Sequence, residues 1–458
     1  MEKGSRNPDS SLGQEVVDWS RANEEAIRIL QDLIRIDTSN PPGNETKVAE
    51  YLHQLFSQEG IESEILEPGS GRGTIVARIR GSGKQRPILL LSHTDVVGVE
   101  REKWSLEPFS GQIKEDYLYG RGAIDDKGMT AVETEIMLLV RRHNIPLDRD
   151  IVFVAEADEE AGGRFGINWI VKNHFQKIDA EVAINEGGRV MESGGKVRYV
   201  AVQTTEKVPY NVKLTVEGHG GHASMPRPDN CISILSTALS RISKYETKVK
   251  LNPAARVFFN GLAKKEKFPA SFYLKNLKTP MIGGFCSRRV SKNLMLNAVM
   301  RNTVSPTILR AGIRANVIPS SCEAHLNVRL LPGETIEEFV SELENVVRDN
   351  RVKIEYKKPE QGESEGSSFQ NEFFAKIVEA SKKIFPGAEV VPFLSAGATD
   401  SRALRKKGMQ AYGILPFPLT EDDLGRMHGN DERVSLKSFY SGLLLLYTLV
   451  TSIAGARQ

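Results

Sequence analysis

Acidic and imidazole side chains follow three short apolar runs, each of which is typical of a buried strand. His93 and Asp95 follow the first run, Glu159 and Glu160 the second, and Glu186 the third. Adjacent carboxylates at the end of a core strand cost free energy unless positive charge compensates them. Imidazole nitrogen and carboxylate oxygen are ligands for divalent metals. The three strand ends therefore predict one polar pocket that contains cations.

A glycine-flanked pair of aspartates, Asp125 and Asp126, is a more specific signal than the His93-Thr-Asp95 pair alone. Glycines on both sides allow backbone angles that other residues avoid and close approach to a ligand. A conventional alternative is that Asp126 caps the helix that follows it. Asp125 would then be available to bridge two ions with its two oxygens.

Histidines also occur in two later segments. His428 can return a second imidazole to the pocket, whereas His219 and His222 lie in a glycine-rich loop without companion carboxylates. We expect His222 to donate a hydrogen bond to substrate and His219 to be only a loop residue. The remaining histidines are expected to be structural or exposed: His53, His143, His174 and His325.

Length, charge and cysteine content narrow the protein class. A chain of 458 residues suggests two or three domains, and a net charge of +2 gives no global reason to expect nucleic-acid or membrane partners. Cys231, Cys286 and Cys322 form no disulfide framework and are expected to be reduced thiols. The first residues lack the apolar region of a secretory signal, which favours a cytoplasmic location. The apolar run 442–453 is interpreted as a buried terminal helix, too short and interrupted to span a bilayer.

Strands and helices alternate through the first part of the chain. This pattern predicts an α/β domain with a largely parallel central sheet and helices on both faces. Ligands gather beyond the carboxyl ends of the strands in such sheets. The predicted helices cover residues 14–36, 47–59, 127–143 and 165–174, and the predicted strands cover residues 73–80, 87–91, 151–155 and 180–184.

A different order follows, with strand 208–217, helix 230–244, strands 311–317 and 321–330, helix 336–348 and strand 352–356. This β-α-β-β-α-β order is typical of a small two-layer α+β domain. A linker at 362–368 precedes renewed α/β patterning. We therefore predict a catalytic domain made of residues 1–205 and 359–458, with a lid or dimerisation domain, residues 206–358, inserted into it.

Residues 256–301 interrupt the inserted domain with ten basic residues and one acidic residue. Three interpretations stay open: a solvated insertion, an electropositive lid that attracts anionic substrates, and a nucleic-acid site without a recognised motif. Phenylalanines in this segment either line a pocket for lipophilic chains or pack in a core: Phe258, Phe259, Phe268, Phe272 and Phe285.

Together, these blocks resemble the dizinc metallopeptidase family of aminoacylase, carboxypeptidase G, carboxypeptidase S, acetylornithine deacetylase and succinyl-diaminopimelate desuccinylase. The similarity runs from about residue 25 to the end, with five motifs in the family's order. The basic insertion is most similar to the carboxypeptidase S and N-acyl-amino-acid hydrolase branch.

The resemblance implies a site with two zinc ions, for which Mn²⁺ or Co²⁺ are possible substitutes. One ion would be held by His93, Asp125 and Glu186, and the other by Asp125, Glu160 and His428. It further implies that Asp125 is the bridge, with a cis peptide to Asp126. Asp95 would orient His93, and Glu159 would be the general base.

The resemblance also implies a homodimer formed through the inserted domain, in which His222 often reaches the partner's active site. Asn316, Arg329 and Gly397 would bind the substrate carboxylate. The segment around Gly397 reads Ser-Ala-Gly-Ala-Thr-Asp, which departs from the family's commoner Gly-Gly-Thr form. The details of the pocket at Ala396 and Ala398 are therefore left open.

The expected reaction is hydrolysis of an amide or peptide bond next to a free carboxylate, in an N-acyl amino acid or a small peptide. A zinc-bridging hydroxide would be the nucleophile, and its charge would balance two Zn²⁺ against three carboxylates. The alternatives are a biosynthetic deacetylase or desuccinylase, or a dipeptidase, that uses the same dizinc chemistry. A remote alternative is a non-catalytic binding protein on this fold.

Overall fold

The computed structural model describes residues 17–358, 362 and 364–456. Its strands are β1 Glu62–Leu66, β2 Thr74–Ile79, β3 Ile88–His93, β4 Ile113–Lys114, β5 Tyr117–Tyr119, β6 Ile151–Glu156, β7 Val182–Asn185, β8 Arg189–Ser193, β9 Lys196–Glu206, β10 Val208–Glu217, β11 Gly221–His222, β12 Thr303–Ala311, β13 Val317–Ile318, β14 Ser321–Leu330, β15 Val352–Lys357, β16 Glu389–Ser395, β17 Gln410–Gly413, β18 Pro418–Leu419 and β19 Arg433–Ser435.

The helices are α1 Trp19–Arg35, α2 Glu45–Gln58, α3 Lys127–Arg142, α4 Ile167–Asn173, α5 Phe175–Ile178, α6 Cys231–Ser243, α7 Pro253–Lys265, α8 Ala270–Lys275, α9 Gly283–Val290, α10 Leu294–Met300, α11 Ile336–Val347, α12 Glu372–Ile384, α13 Ser401–Lys406, α14 Glu421–Arg426 and α15 Leu436–Ala454. The first residues of the helix predicted over 14–36, and the N-terminal segment considered for a signal, lie outside the described residues.

The chain divides into two compact units. Unit 1 contains the residues up to Glu181 and those from Pro416 onward, and unit 2 is Val182–Leu415. Unit 2 holds a small antiparallel sheet together with strands of α/β type. This division therefore does not test the predicted domain boundaries at 205/206 and 358/359, which stay a prediction.

Unit 1 is built on a sheet with the strand order β1-β2-β6-β3. β3 and β6 are apolar and completely buried, and they run parallel, with His93 beside Glu156 at their carboxyl ends. The other two pairings are antiparallel. Because β3 and β6 end at the same edge of the sheet, the residues that follow them are brought close together.

Unit 2 contains a mixed group of strands and a separate four-stranded sheet. β7 pairs with β17 and β9 pairs with β16 in parallel, while β8 and β17 run antiparallel to β9. The four-stranded sheet is antiparallel, in the order β12-β14-β10-β15, and buries its core against α6 and α11. The α/β class with an additional α+β layer is therefore confirmed, and the pairing of the larger strands is mixed.

One predicted strand of the small sheet was wrong. Residues 311–317 were expected to form it, but β12 covers Thr303–Ala311 instead. Pro306 argued against a strand here, because proline is tolerated in sheets mainly at edges and bulges. β12 is an edge strand, and its register shifts between Pro306 and Ile308.

The basic segment 256–301 folds into the helices α7 to α10. α7 packs on β16 and β9 through Phe258 and Phe259, which are completely buried. Phe268, Phe272 and Phe285 are exposed instead. The five phenylalanines thus divide into two that pack in the core and three on the surface.

The apolar run near the end of the chain lies in α15, a continuous helix of 19 residues. Among the described residues, α15 is the one helix long and apolar enough to cross a membrane, although 50% of its apolar window is buried within the protein. It packs against α3, as the core helix of a folded domain does. The helix is longer than the sequence interpretation allowed, because Tyr447 and Thr448 continue it rather than interrupt it.

Candidate active site

Four of the five predicted metal ligands meet in unit 1. Nε2 of His93 lies 2.9 Å from Oδ1 of Asp125, and Nε2 of His428 lies 3.0 Å from Oδ2 of Asp125 and 3.0 Å from Oε1 of Glu160. Potential ligand atoms of His93, Asp125 and Glu160 all lie within 4.8 Å of one another. Asp125 therefore presents each of its oxygens to a different histidine, which is the arrangement that a bridging carboxylate needs.

The cluster favours positive charge. Hydrogen bonds to Asp125 and Glu160 raise the pKa of His428 to about 10. Burial lowers the pKa of His93, but hydrogen bonds to Asp125 and Asp95 outweigh burial and raise this pKa well above its ordinary value. A divalent cation supplies the same positive charge while leaving the imidazoles neutral and able to bind metal. The nitrogen and oxygen donors therefore fit zinc, manganese or cobalt.

The backbone that carries Asp125 is held by a buried carboxylate. Glu432 accepts N–H hydrogen bonds from Gly122 at 3.2 Å, Ile124 at 2.8 Å and Asp125 at 3.1 Å. Arg121 Nη1 donates to the same carboxylate at 2.5 Å. Glu432 stands four residues after His428, so one segment supplies both a predicted ligand and the support of the bridging residue. His428 was predicted from the sequence, whereas no role was predicted for Glu432.

Glycine is required at one position of this loop. Gly122 has φ +88°, and a Cβ there would lie 2.9 Å from Cγ1 of Val96. The Asp125–Asp126 peptide bond is cis, as the resemblance implied. Asp126 occupies the N-cap position of α3 but makes no side-chain cap hydrogen bond, so the conventional capping role is not its function here.

Asp95 contacts both His93 and the turn that contains Glu159 and Glu160. Nδ1 of His93 lies 3.0 Å from the backbone oxygen of Asp95 and 3.4 Å from its Oδ1, so the backbone oxygen is the nearer partner. The Asp95 carboxylate accepts hydrogen bonds from the backbone N–H of Glu159 at 3.0 Å and of Glu160 at 3.2 Å. Asn40 Nδ2 donates to it at 2.8 Å. Asp95 therefore contacts the His93 ring and holds the turn that carries the predicted base, and its role in orienting His93 stays a prediction.

A buried polar network behind Asp95 was missed by sequence reasoning. Arg72 Nη2 lies 2.5 Å from Oδ1 of Asp158 and 3.0 Å from Oε1 of Glu45, and its Nη1 donates to Asn40 at 3.2 Å. Asp158 adopts φ +74° immediately before Glu159. Because a buried charge is stable only when it is paired, this network fixes the entry into the turn. Nothing in the sequence around Arg72 signals the role.

The fifth predicted ligand, Glu186, lies in unit 2. It directly follows β7 and is partly buried. Its assignment to the metal site stays a prediction.

His222 and Asn316 are neighbours in the small domain. His222 pairs with Val317 between β11 and β13, and Ala223 N–H donates to the backbone oxygen of Asn316 at 3.1 Å. Ser224 N–H donates to Nδ1 of His222 at 3.2 Å, so the neutral ring carries its proton on Nε2 and can donate it. His219 is exposed and lies 2.6 Å from Asp229, which agrees with a loop role.

Arg329 lies at the end of the small sheet that is opposite to the His222 loop. It pairs with Pro209, whereas Ser321, at the start of the same strand, pairs with Glu217 beside the histidine loop. Eight residues at about 3.4 Å each place Arg329 roughly 27 Å from Ser321. Within one subunit, the structure therefore does not bring Arg329 together with His222 and Asn316.

Gly397 lies at the same end as Arg329. Its N–H donates to Ser395 Oγ at 3.1 Å, and Thr399 Oγ1 donates to Glu206 at 2.9 Å. Glu206 also pairs with Arg402 at 3.0 Å in a buried contact that sequence reasoning missed. Burial lowers the pKa of Arg329, and the nearby charge of Arg402 lowers it further.

Two relatives resemble most of the chain. It is 30% identical to the N-fatty-acyl-amino acid synthase/hydrolase PM20D1 of Xenopus tropicalis, over 94% of this chain and 85% of that protein. It is 31% identical to the probable carboxypeptidase S-like 2 of Dictyostelium discoideum, over 80% of this chain and 71% of that protein. These names agree with the branch that the basic insertion indicated.

A solved structure shares the fold, and a family profile covers most of the sequence. The M20 family metallo-carboxypeptidase Sso-CP2 of Sulfolobus solfataricus superposes with a TM-score of 0.70 at 19% identity, over 93% of this chain and 98% of that one. Residues 89–452 match the profile of peptidase family M20/M25/M40. The chain therefore belongs to peptidase family M20/M25/M40 and is a metal-dependent hydrolase.

Proposed function

We propose that this protein is a two-metal hydrolase that cleaves N-acyl amino acids at the amide bond next to the free carboxylate. The observation that carries the proposal is Asp125, whose two oxygens face different histidines at 2.9 and 3.0 Å. His93 and Glu186 would hold one ion with Asp125, and Glu160 and His428 the other. Zinc is the proposed metal because of the resemblance to dizinc hydrolases, and the nitrogen and oxygen ligands would also accept manganese or cobalt.

The side chains of this protein have distinct parts in the proposed reaction. A divalent metal bound at this site would lower the pKa of a bound water and polarise the amide carbonyl of the substrate. Glu159 accepts the proton of the attacking water and returns it to the leaving amine. His222 donates its Nε2–H to the carbonyl oxygen of the scissile amide, on which negative charge develops in the transition state. Arg329 and Gly397 would bind the carboxylate of the substrate, and Asn316, which lies beside His222, would reach it from the other subunit of a dimer.

The proposed substrate class is based on the names of two relatives and on the positive charge of Arg329. The Xenopus tropicalis relative is named an N-fatty-acyl-amino acid synthase/hydrolase, which supports an acyl group at the scissile bond. Dipeptides are the second candidate, because the Dictyostelium discoideum relative is named carboxypeptidase S-like. Both classes carry the free carboxylate that Arg329 would recognise.

A substrate panel tests this proposal. We expect hydrolysis of N-acetyl and long-chain N-acyl amino acids to exceed that of dipeptides with the same terminal residue. Methyl esters of the same N-acyl amino acids are the matched control, and we expect them to be cleaved about 10- to 100-fold more slowly, because the contact with the carboxylate is lost. Faster cleavage of dipeptides, or equal cleavage of the esters, would contradict the proposed substrate.

We also propose that the active enzyme is a homodimer formed through the small domain. β12 is an edge strand with exposed residues along most of its length, including Ile308 and Leu309, and Ile232 is exposed on α6. An apolar edge strand is available to pair with another chain. The separation of His222 from Arg329 supports a site that takes these two residues from different subunits.

Mixing two inactive variants tests the shared site. His222→Ala and Glu159→Gln homodimers are both expected to be nearly inactive. A mixed dimer regains one site, because that site has an intact Glu159 from one subunit and an intact His222 from the other. Activity is measured in mixed dimers isolated with two affinity tags.

The neighbouring exposed histidine provides the control. His219→Ala is expected to keep wild-type activity as a homodimer, since His219 pairs only with Asp229 in the described part of its loop. No recovery of activity in isolated mixed dimers of the two inactive variants would show that each site is complete in one subunit.

We further propose a cytoplasmic location, which the three buried free cysteines support.

A further inference from the structure

The helices α8 and α9 of the basic insertion, together with Phe268 just before α8, form an aromatic surface made of Phe268, Phe272, Tyr273 and Phe285. Successive ring centroids lie 6.4, 6.0 and 5.7 Å apart, so the four rings are continuous. Phe268 is 81% exposed, Phe285 50% and Phe272 40%. These rings leave a large apolar area in contact with water, and such a patch marks an interaction site.

The turn between α8 and α9 extends the same apolar character. Met281 is fully exposed, and Ile282 is partly exposed, immediately before α9. Phe258 and Phe259 instead belong to the buried core of this part of unit 2. The exposed apolar residues are therefore distinct from that core.

Basic side chains surround the aromatic surface. Residues 267–289 contain Lys267, Lys275, Lys278, Arg288 and Arg289 and no acidic residue. Within the described parts of the chain, the first four form no ion pair, and Arg289 stacks on the ring of Phe285 at 5.1 Å. The surface thus combines an apolar centre with an uncompensated positive rim.

We propose that the aromatic surface and its basic rim dock this protein on an anionic phospholipid bilayer. Aromatic side chains favour the level of the lipid headgroups, and lysines and arginines near the surface are attracted to anionic lipid. A second copy of the chain is a poor partner, because two positive rims would face each other. The net charge of +2 conceals this feature, since the positive charge is local.

The helices that carry the aromatic surface are packed on the rest of unit 2. α7 buries Phe258 and Phe259 against β16, and Lys264 pairs with Glu389 at 2.6 Å at the end of α7. α8 packs on α7 and α9 packs on α8. Docking goes beyond the proposed function, because hydrolysis of a soluble N-acyl amino acid does not require it.

Vesicle sedimentation tests the proposal with the full chain carrying Glu159→Gln, so that docking is measured apart from turnover. Vesicles of phosphatidylcholine mixed with phosphatidylserine are expected to bind the protein, and phosphatidylcholine alone to bind it much less. Binding should weaken as the Debye length falls from about 10 Å at 0.1 M salt to about 3 Å at 1 M.

Variants of the rim and of the centre separate the two contributions. Lys275→Glu with Lys278→Glu should lower the partition coefficient more than about tenfold, since each basic residue contributes about fivefold, or about 1 kcal/mol. Phe268→Ser with Phe285→Ser should lower it about tenfold at unchanged salt dependence. Circular dichroism and the melting temperature establish that each variant is folded.

Matched substitutions outside the aromatic surface provide the controls. Ile113→Ser removes an apolar side chain that is 41% exposed, and Lys172→Glu reverses an exposed lysine, both in unit 1. Both should bind vesicles like the parent. Absence of binding to phosphatidylserine vesicles overturns the proposal. So does equal binding by all variants, loss of a dimer in the surface variants, or binding of duplex DNA in place of vesicles.

Discussion

Replacing Glu159 with glutamine is expected to lower kcat by about two to four orders of magnitude, the usual contribution of a general base, while metal content stays that of the wild type. Glutamine keeps the size of the side chain and can still form hydrogen bonds, but it does not accept a proton at neutral pH. The Asp95 carboxylate accepts the backbone N–H of residue 159 at 3.0 Å, so the turn is held independently of this side chain. The measurements are kcat with an N-acyl amino acid and metal per subunit by elemental analysis.

Glu160→Gln is the matched control, because it makes the same chemical change at the adjacent position. Oε1 of Glu160 lies 3.0 Å from Nε2 of His428, inside the cluster. This variant should lose both activity and metal, whereas Glu159→Gln should lose activity alone. A Glu159→Gln enzyme that keeps more than about a tenth of the wild-type kcat would show that another group is the base.

The parts of the site that follow from local patterns could be predicted from the sequence. Apolar runs predicted β3 and β6, and His93 at the end of β3 and Glu160 shortly after β6 were predicted as ligands from the same runs. The glycines around Asp125 indicated an unusual backbone, which the φ of Gly122 bears out. Each of these signals lies within a few residues of the side chain that it predicts.

The supporting contacts were not predictable, because their partners are distant in sequence. Arg72 and Asp158 are 86 residues apart, and Glu432 reaches Asp125 across 307 residues. Single-sequence periodicity contains no information on such pairs. The sequence around Arg72 does not differ from that of a surface arginine, although its side chain is buried.

Buried polar residues also concealed a long strand. β9 covers Lys196–Glu206, yet its last part contains Gln203, Thr204 and Thr205, which do not alternate with apolar residues. All three residues are buried, and Gln203 Nε2 donates a 2.9 Å hydrogen bond to Glu206 within unit 2. A strand whose core side is polar does not have the pattern that predicts a strand.

Replacing Asp125 with asparagine is expected to cause a loss of metal together with a loss of activity. An amide offers one oxygen where the carboxylate offers two, so His93 and His428 no longer share a bridging ligand. The change also removes one of the three negative charges that we propose balance two divalent cations in a largely buried site. Because substitutions in the outer coordination shell already cost 10- to 100-fold in metal affinity, we expect a loss of more than about a hundredfold.

Metal per subunit after dialysis against buffered zinc measures this loss directly, and thermal unfolding measures it independently. Zinc that binds only the folded protein raises the melting temperature of the wild type in proportion to the logarithm of its concentration, and this rise should shrink in Asp125→Asn. Asp126→Asn is the control, since Asp126 is adjacent in sequence but outside the group of converging ligand atoms. It should retain the zinc-dependent rise. If Asp125→Asn bound two ions per subunit with wild-type affinity, the bridge would have to be another residue, and the contacts of Asp125 with both histidines would be hydrogen bonds only.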